Sequence, residues 1–169
     1  MSPERGVPMK RHGMMRSVRS TRVSRHVRAP RARVYAALID ATSVARWKVP
    51  TGMTCHVHAF EGREGGTFRI SLTYDTSTDA GKTTAHTDTY RGRFVELVPN
   101  ERVVEVDEFE TADPALRGEM KVTITLVDAD GGTDVLGVHE GLPSGVSIGD
   151  NQVGWQSALA RLAALVEEG

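Results

Sequence analysis

The chain has 169 residues, a formal net charge of -1 and a single cysteine, Cys55. That length suits one ordinary domain with a core large enough to need no staples, and a lone cysteine excludes an intramolecular disulfide, so the expected location is cytoplasmic. No apolar run approaches the ~20 residues of a membrane helix, nor does the N-terminus have the apolar stretch of an export signal, so membrane insertion and secretion are not expected.

The near-neutral average conceals a split. Residues 1–33 carry nine arginines and Lys10 against Glu4, whereas residues 34–169 carry eleven basic and twenty-one acidic side chains. Residues 1–19 mix proline, glycine and basic groups without an apolar period, and read as a disordered basic leader ahead of a domain spanning 20–169. The leader has no aromatic residue to stack on bases, so it offers phosphate attraction alone and no specific nucleic-acid partner is expected.

Residues 20–28 alternate around Val23 and Val27 and predict a strand; Pro30 then opens a helix over ARVYAALID, with Val34 and Leu38 on one face. A second short helix, TSVARW, follows, with Thr42 or Ser43 as its cap. After Pro50 and Gly52 the period changes, predicting strands at about 54–60, 66–74, 83–97, 102–110, 119–127 and 133–140. They are separated by EGREGG, DTSTDAGK, VPNE, TADPALRG and DADGG, all rich in turn formers. Phe68, Ile70, Leu72 and Tyr74 share one face, as do Met120, Val122, Ile124 and Leu126. The alternation in VEVDEFE predicts a solvated face carrying Glu105 and Asp107, available to pair with the arginines of the first strand and helix. The last segment is a helix whose stripe runs through Ile148, Gln152, Trp155, Leu159, Leu162 and Val166. Strand, two short helices, a run of strands and a long helix make an α+β domain, not a doubly wound nucleotide-binding fold.

Catalytic and metal signatures are weak. Cys55 and His56, adjacent on a strand, point to opposite faces and do not suit a thiolate with its base. His56 and His58 share a face, as do His86 and Asp88, but two ligands do not make a metal site, and neither a metal nor a cofactor is expected. DADGGTD lacks the sixth-position glycine and twelfth-position glutamate of a calcium loop and reads as a hairpin turn. EGREGG lacks the lysine of a phosphate-binding loop.

Five segments, VSRHVRAPRARVYAALIDATSVARW, GGTFRI, YRGRFVELVPNERVV, TDVLGVHEGLP and GWQSALARLAALVE, lie in order across residues 20–168. Together they resemble the activator of heat-shock protein 90 ATPase homologue-like branch of the START-related SRPBCC superfamily. The resemblance implies a helix-grip fold: a curved antiparallel sheet of about six to seven strands wrapped around a long C-terminal helix, with two short helices after the first strand. It also implies a cavity between sheet and helix that takes a small apolar or amphipathic molecule. Relatives often carry two aromatic residues after the second helix, where this chain has Trp47 followed by Lys48. That lysine is either solvated or placed to attract an anionic ligand group.

On this expectation the candidate ligand-binding residues are Trp47, Met53, Phe68, Tyr74, Tyr90, Phe94, His139 and Trp155. The same aromatic residues also suit an ordinary core. His139 shares a face with Val135 and Gly137, where it serves a ligand, acts as a general base, or is satisfied by backbone or Gln152. The expected role is therefore a binding module; a cyclase- or hydrolase-like enzyme using a cavity His or Tyr is the first alternative, and a co-chaperone-like interaction domain the second. A homodimer is compatible with every feature read here.

Overall fold

The computed structural model describes residues 19–75 and 86–168, so most of the leader and the start of the expected 83–97 strand lie outside the described residues. The elements run β1 (Ser20–Val27), α1 (Arg31–Leu38), α2 (Ala41–Trp47), β2 (Met53–Phe60), β3 (Thr67–Tyr74), β4 (Thr87–Val98), β5 (Arg102–Phe109), β6 (Met120–Ala129), β7 (Gly132–Glu140) and α3 (Ile148–Glu167). The strands form one curled, antiparallel, seven-stranded sheet in the order β1-β7-β6-β5-β4-β3-β2. Strands β2 to β7 are joined as successive hairpins, and β1 returns to pair β7 from Ser20↔Glu140 to Val27↔Thr133. The α+β helix-grip architecture is as expected: α3 packs against β1, α2 and α1.

The core lies between the concave face of the sheet and the helices. Trp47, Phe94, Ile70, Ile124, Leu159 and Leu162 are its largest fully buried side chains. The faces expected on β3 and β6 point inward, with Phe68, Ile70, Met120, Val122, Ile124 and Leu126 all buried. The β6–β7 hairpin turns on Asp130 and Gly131, both at positive φ, the Asp-Gly chemistry of a tight hairpin.

Several local expectations are corrected. The cap of α2 is Asp40, whose carboxylate accepts from Ser43 N and Ser43 Oγ at 2.9 Å, because the carboxylate sits one residue ahead of the helix and reaches the free N–H groups. On α3 the buried stripe is Ala158, Leu159, Leu162, Ala163 and Val166, while Ile148 and Gln152 are exposed and Asn151 is half-buried. At 3.6 residues per turn, Asn151 and Gln152 both lie about one turn before Trp155, and the sheet happens to lie on the Asn151 side.

The solvated face expected on β5 is inverted: Glu105 and Asp107 are 3% and 5% exposed and point into the core beside Val103. A central strand under the helices has no wet concave face, so the polar set of an alternating pattern went inside. Nor do these acids take the arginines of the first segment. Arg31 pairs with Asp128 and Arg28 approaches Glu167, while Glu108 and Glu110 take Arg91 and Arg69. Arg19 is tied to the fold, its guanidinium donating to the carbonyls of Leu142 and Val146 and its own carbonyl accepting from Gly141 and Leu142.

Candidate functional site

Antiparallel register brings five side chains into one cross-strand row on the concave face. Thr21 lies opposite His139, His139 opposite Val122, Val122 opposite Glu105, and Glu105 opposite Phe94. Two residues along β5, Asp107 lies opposite Met120 and Gly92, and Gly92 opposite Phe68. A Cβ on Gly92 would come within 2.6 Å of Phe68 Cζ and 2.7 Å of Asp107 Cβ, so glycine is what lets both side chains lie over the strand.

Lys48, the residue that closes α2, reaches into this row. Its Nζ lies 2.8 Å from both carboxylate oxygens of Glu105, with the two side chains 12% and 4% exposed. The same ammonium sits 5.3 Å from the Phe68 ring centroid and 5.9 Å from that of Tyr90, giving the buried charge two aromatic faces. The solvated alternative for Lys48 is thereby overturned, and the cation is already matched by a carboxylate.

Glu105 and Asp107 are neighbours on the same face of β5, and each shifts the other's titration. Two carboxyls buried close together beside one cation disfavour ionising together, and their environments push them apart. Burial pushes Glu105 up, but Lys48 and the hydrogen bonds from Asp107 and Lys48 outweigh it and hold that carboxyl below its usual range. Burial and the neighbouring Glu105 push Asp107 well above it. Burial, then these two acids, raise the Tyr90 phenol as well.

On the other side of the row, Trp155 Nε1 donates to His139 Nδ1 at 2.9 Å. Asn151 Nδ2 approaches the same nitrogen at 3.4 Å, and Asn151 Oδ1 accepts from Thr21 Oγ1. The partners of His139 are thus Trp155 and Asn151, not Gln152. An indole N–H can only donate, so Nδ1 is the acceptor and the imidazole proton sits on Nε2. Burial lowers the His139 pKa to about 4; Glu105 pulls it back up and Lys48 pushes it down, so the ring is neutral. Two buried side-chain atoms have no hydrogen-bond partner among the described residues: Asp107 Oδ1 and His139 Nε2.

The candidate residues divide accordingly. Phe68, Tyr90 and Phe94 are buried, and Phe68 meets both of the others, with ring centroids 5.2 Å from Phe94 and 6.2 Å from Tyr90. Phe68 and Tyr90 face the Lys48 ammonium, Phe94 lies across the ladder from Glu105, and Trp155 meets His139. Trp47 is sealed in the core, its Nε1 donating to Ala37 O at 2.9 Å and tying α2 to α1. Met53 and Tyr74, paired across β2 and β3, are half-buried at the far edge of the sheet. Met53 lines an open groove of about 440 Å³ between β2, α2 and the end of α3, together with Cys55, Val49, Arg161 and Leu165.

Glu105, Asp107 and Asn151 were missed by sequence reasoning; the available signal was Lys48 in a position suited to an aromatic, which called for an acid nearby. Cys55 is half-buried with its thiol raised by burial, and His56 stacks edge-on with His58 on the opposite, exposed side. No group of three potential metal ligands occurs among the described residues. No helix among them is long and apolar enough to cross a membrane.

Residues 28–167 match the family model described as Activator of Hsp90 ATPase homolog 1-like protein. A crystal structure of a Chromobacterium violaceum protein is 36% identical, superposes with a TM-score of 0.80, and is matched over 88% of this chain and 97% of that one. A Rhodobacter sphaeroides protein has the same fold at 20% identity and TM-score 0.71, covering 88% and 92% of the two chains. An Arthrobacter aurescens protein does so at 16% and 0.74, covering 91% and 92%. A comparison with curated proteins finds no match.

Proposed function

The chain belongs to the activator of Hsp90 ATPase homologue 1-like family, and from that premise we propose that it is a helix-grip binding module holding a small amphipathic molecule between the sheet and α3. The observation that carries this reading is the pair of buried polar atoms without a partner, Asp107 Oδ1 and His139 Nε2. Leaving such a group unpaired costs about 1–3 kcal/mol, and two on one face of one sheet are economically explained by a ligand that satisfies both. Phe68, Tyr90, Phe94 and Trp155 supply apolar wall around them, and the Lys48–Glu105 pair supplies a polar end.

Ligand-dependent melting of the full chain against a library of lipids, sterols and aromatic polyketides, followed by native mass spectrometry of the hits, tests the proposal. Stabilisation by a compound that is then seen bound at one copy per chain supports it. A library that shifts nothing overturns it.

One observation favours a second reading. The Glu105 and Asp107 carboxyls are pushed in opposite directions, the arrangement by which a buried pair supplies a base and an acid at neutral pH. A cyclase- or hydrolase-like activity would use that pair with His139, and conversion of a bound hit on incubation would establish it. The chaperone role named in the family description is a separate proposal, tested by adding this chain to the chaperone and measuring ATP turnover.

A further inference from the structure

We infer that the first half of α3, residues 148–157, is a strap that unwinds while the rest of the fold stays closed, and that its opening is the way in to the row holding His139 and Glu105. For what passes beneath the strap the inference rests on the binding reading above; the opening itself needs no ligand.

The two halves of α3 are held differently. Residues 158–167 bury Ala158, Leu159, Leu162, Ala163 and Val166, whereas no side chain of 148–157 is buried. Ile148 and Val153 are 37% and 63% exposed, and Trp155 is half-buried. What ties the first half down is polar. Asn151 Oδ1 accepts from Thr21 Oγ1 at 2.6 Å, Trp155 Nε1 donates to His139 Nδ1, and Ser157 Oγ accepts from Thr51 N at 3.2 Å. Water replaces such bonds when they break, so each adds little to the net hold; uncovered apolar area has no such substitute.

The sequence weakens the same stretch from within. A glycine in a helix interior lowers the helical population roughly fivefold against alanine, and α3 has Gly149 and Gly154 in its first half and none in its second. Neither is at positive φ. A Cβ on Gly149 would meet only Ser147 Oγ at 3.9 Å, and one on Gly154 would meet Pro50 at 3.5 Å, both ordinary contacts. Alanine fits at both positions, so close packing does not explain either glycine.

Both ends of the strap are pinned. Leu142 and Val146 are buried with Leu116 and Met120, Arg19 donates to the carbonyls of both, and Gly145 N donates to Ala115 O at 2.7 Å. The strap therefore opens by unwinding between Val146 and Ala158 and does not swing free. It lies on Thr21 and His139, and His139 stands opposite Val122, itself opposite Glu105. Unwinding thus uncovers the end of the row that carries the buried polar groups.

Amide exchange of the full chain followed by NMR tests the opening, with the double variant Gly149→Ala, Gly154→Ala as the comparison. In the wild type, amides 153–157 are expected to be roughly tenfold or more less protected than amides 159–163. In the variant the first set should gain roughly tenfold in protection and the second set should not change. Equal protection of the two sets in the wild type, or a variant that protects both sets or neither, overturns the inference. Carbethoxylation by diethyl pyrocarbonate, mapped by peptide, then reads whether the opening uncovers His139. His139 should react in the wild type and roughly tenfold more slowly in the variant, while the exposed His56 reacts equally in both. A His139 that is inert in the wild type, or equally reactive in the two proteins, overturns the strap as the way in. Neither readout uses a ligand, so the binding reading stands or falls separately, on melting and native mass spectrometry.

Discussion

Trp155 and His139 meet edge to face, with ring centroids 5.9 Å apart at 88°, and the indole N–H is aimed at the imidazole Nδ1. One side chain of α3 thereby fixes the tautomer of one side chain of β7. Removing it should be visible without any ligand. Trp155→Phe keeps the ring but deletes the donor, leaving Nδ1 free to take a proton, so the His139 pKa should rise above the value of about 4 set in the intact protein. Titration of the imidazole carbon protons by NMR in both proteins measures this; an unchanged pKa would mean that the indole hydrogen bond does not govern the ring.

Acid should weaken the fold through the same histidine. His139 titrates near 4 in the folded chain against 6.5 unexposed to the fold, so between those values the unfolded chain binds the extra proton. Its contribution is present above pH 6.5 and is lost as pH falls through about 4, to a total of about 3 kcal/mol. Asp107 acts with the opposite sign, since a raised carboxyl contributes stability in acid that is lost as pH rises. Urea unfolding of the wild type and of His139→Gln at pH 7 and 4.5 isolates the histidine. Wild type should lose more stability than the variant across that window, and equal losses would rule the histidine out.

Lys48→Met should destabilise by about 3–5 kcal/mol, because it strands Glu105 and Asp107 in the interior without a cation. Adding Glu105→Gln to that variant should return most of the loss, and denaturant midpoints of the two single variants and the double complete the cycle. If the double variant is as unstable as the sum of the singles, the pair is not coupled.

Gly92→Ala should lower stability by about 1–3 kcal/mol or more. The new methyl would lie 2.5 Å from Val106 O, a backbone atom that cannot swing away, as well as against Phe68 and Asp107. Gly137→Ala is the control, for its Cβ would meet only Val23 Cγ2 at 3.4 Å. Equal melting temperatures for the two variants would contradict the packing described around Gly92.

Trp47→Phe should cost stability but leave ligand preference alone. It deletes the hydrogen bond to Ala37 O inside the helix pair, worth about 1–3 kcal/mol when a buried carbonyl is left unpaired. A melting temperature equal to the wild type's would show that this bond does not hold the helix pair together.

The element order was legible in the sequence because period and turn chemistry changed together: the alternation of Met120, Val122, Ile124 and Leu126 and the Asp130–Gly131 turn each admit one structure. The polar end of the site was not. Glu105 and Asp107 alternate with valines just as a solvated face would, and what takes them inside is a lysine 57 positions earlier in the chain, whose reach depends on how α2 crosses the sheet. Asn151 and Gln152 are equally amidic and differ by a 100° step around α3, which a stripe read to the nearest turn does not resolve. The aromatic residues were found as a set. Their division into a wall around Lys48 and a sealed core residue such as Trp47 depends on register and on a side-chain hydrogen bond, neither of which has a local signature.

The pairing of β1 with β7 also governs the order in which the chain can assemble. His26 and Asp134, hydrogen-bonded across that pair, are 108 positions apart, so the first strand to leave the ribosome waits for the last before it has a neighbour. Strands β2 to β6 can zip together as local hairpins in the meantime, while Val23 and Val27 stay uncovered. Closure of this long loop should therefore be the slow step of refolding, and the interval before it the time when an unpaired edge is open to another copy.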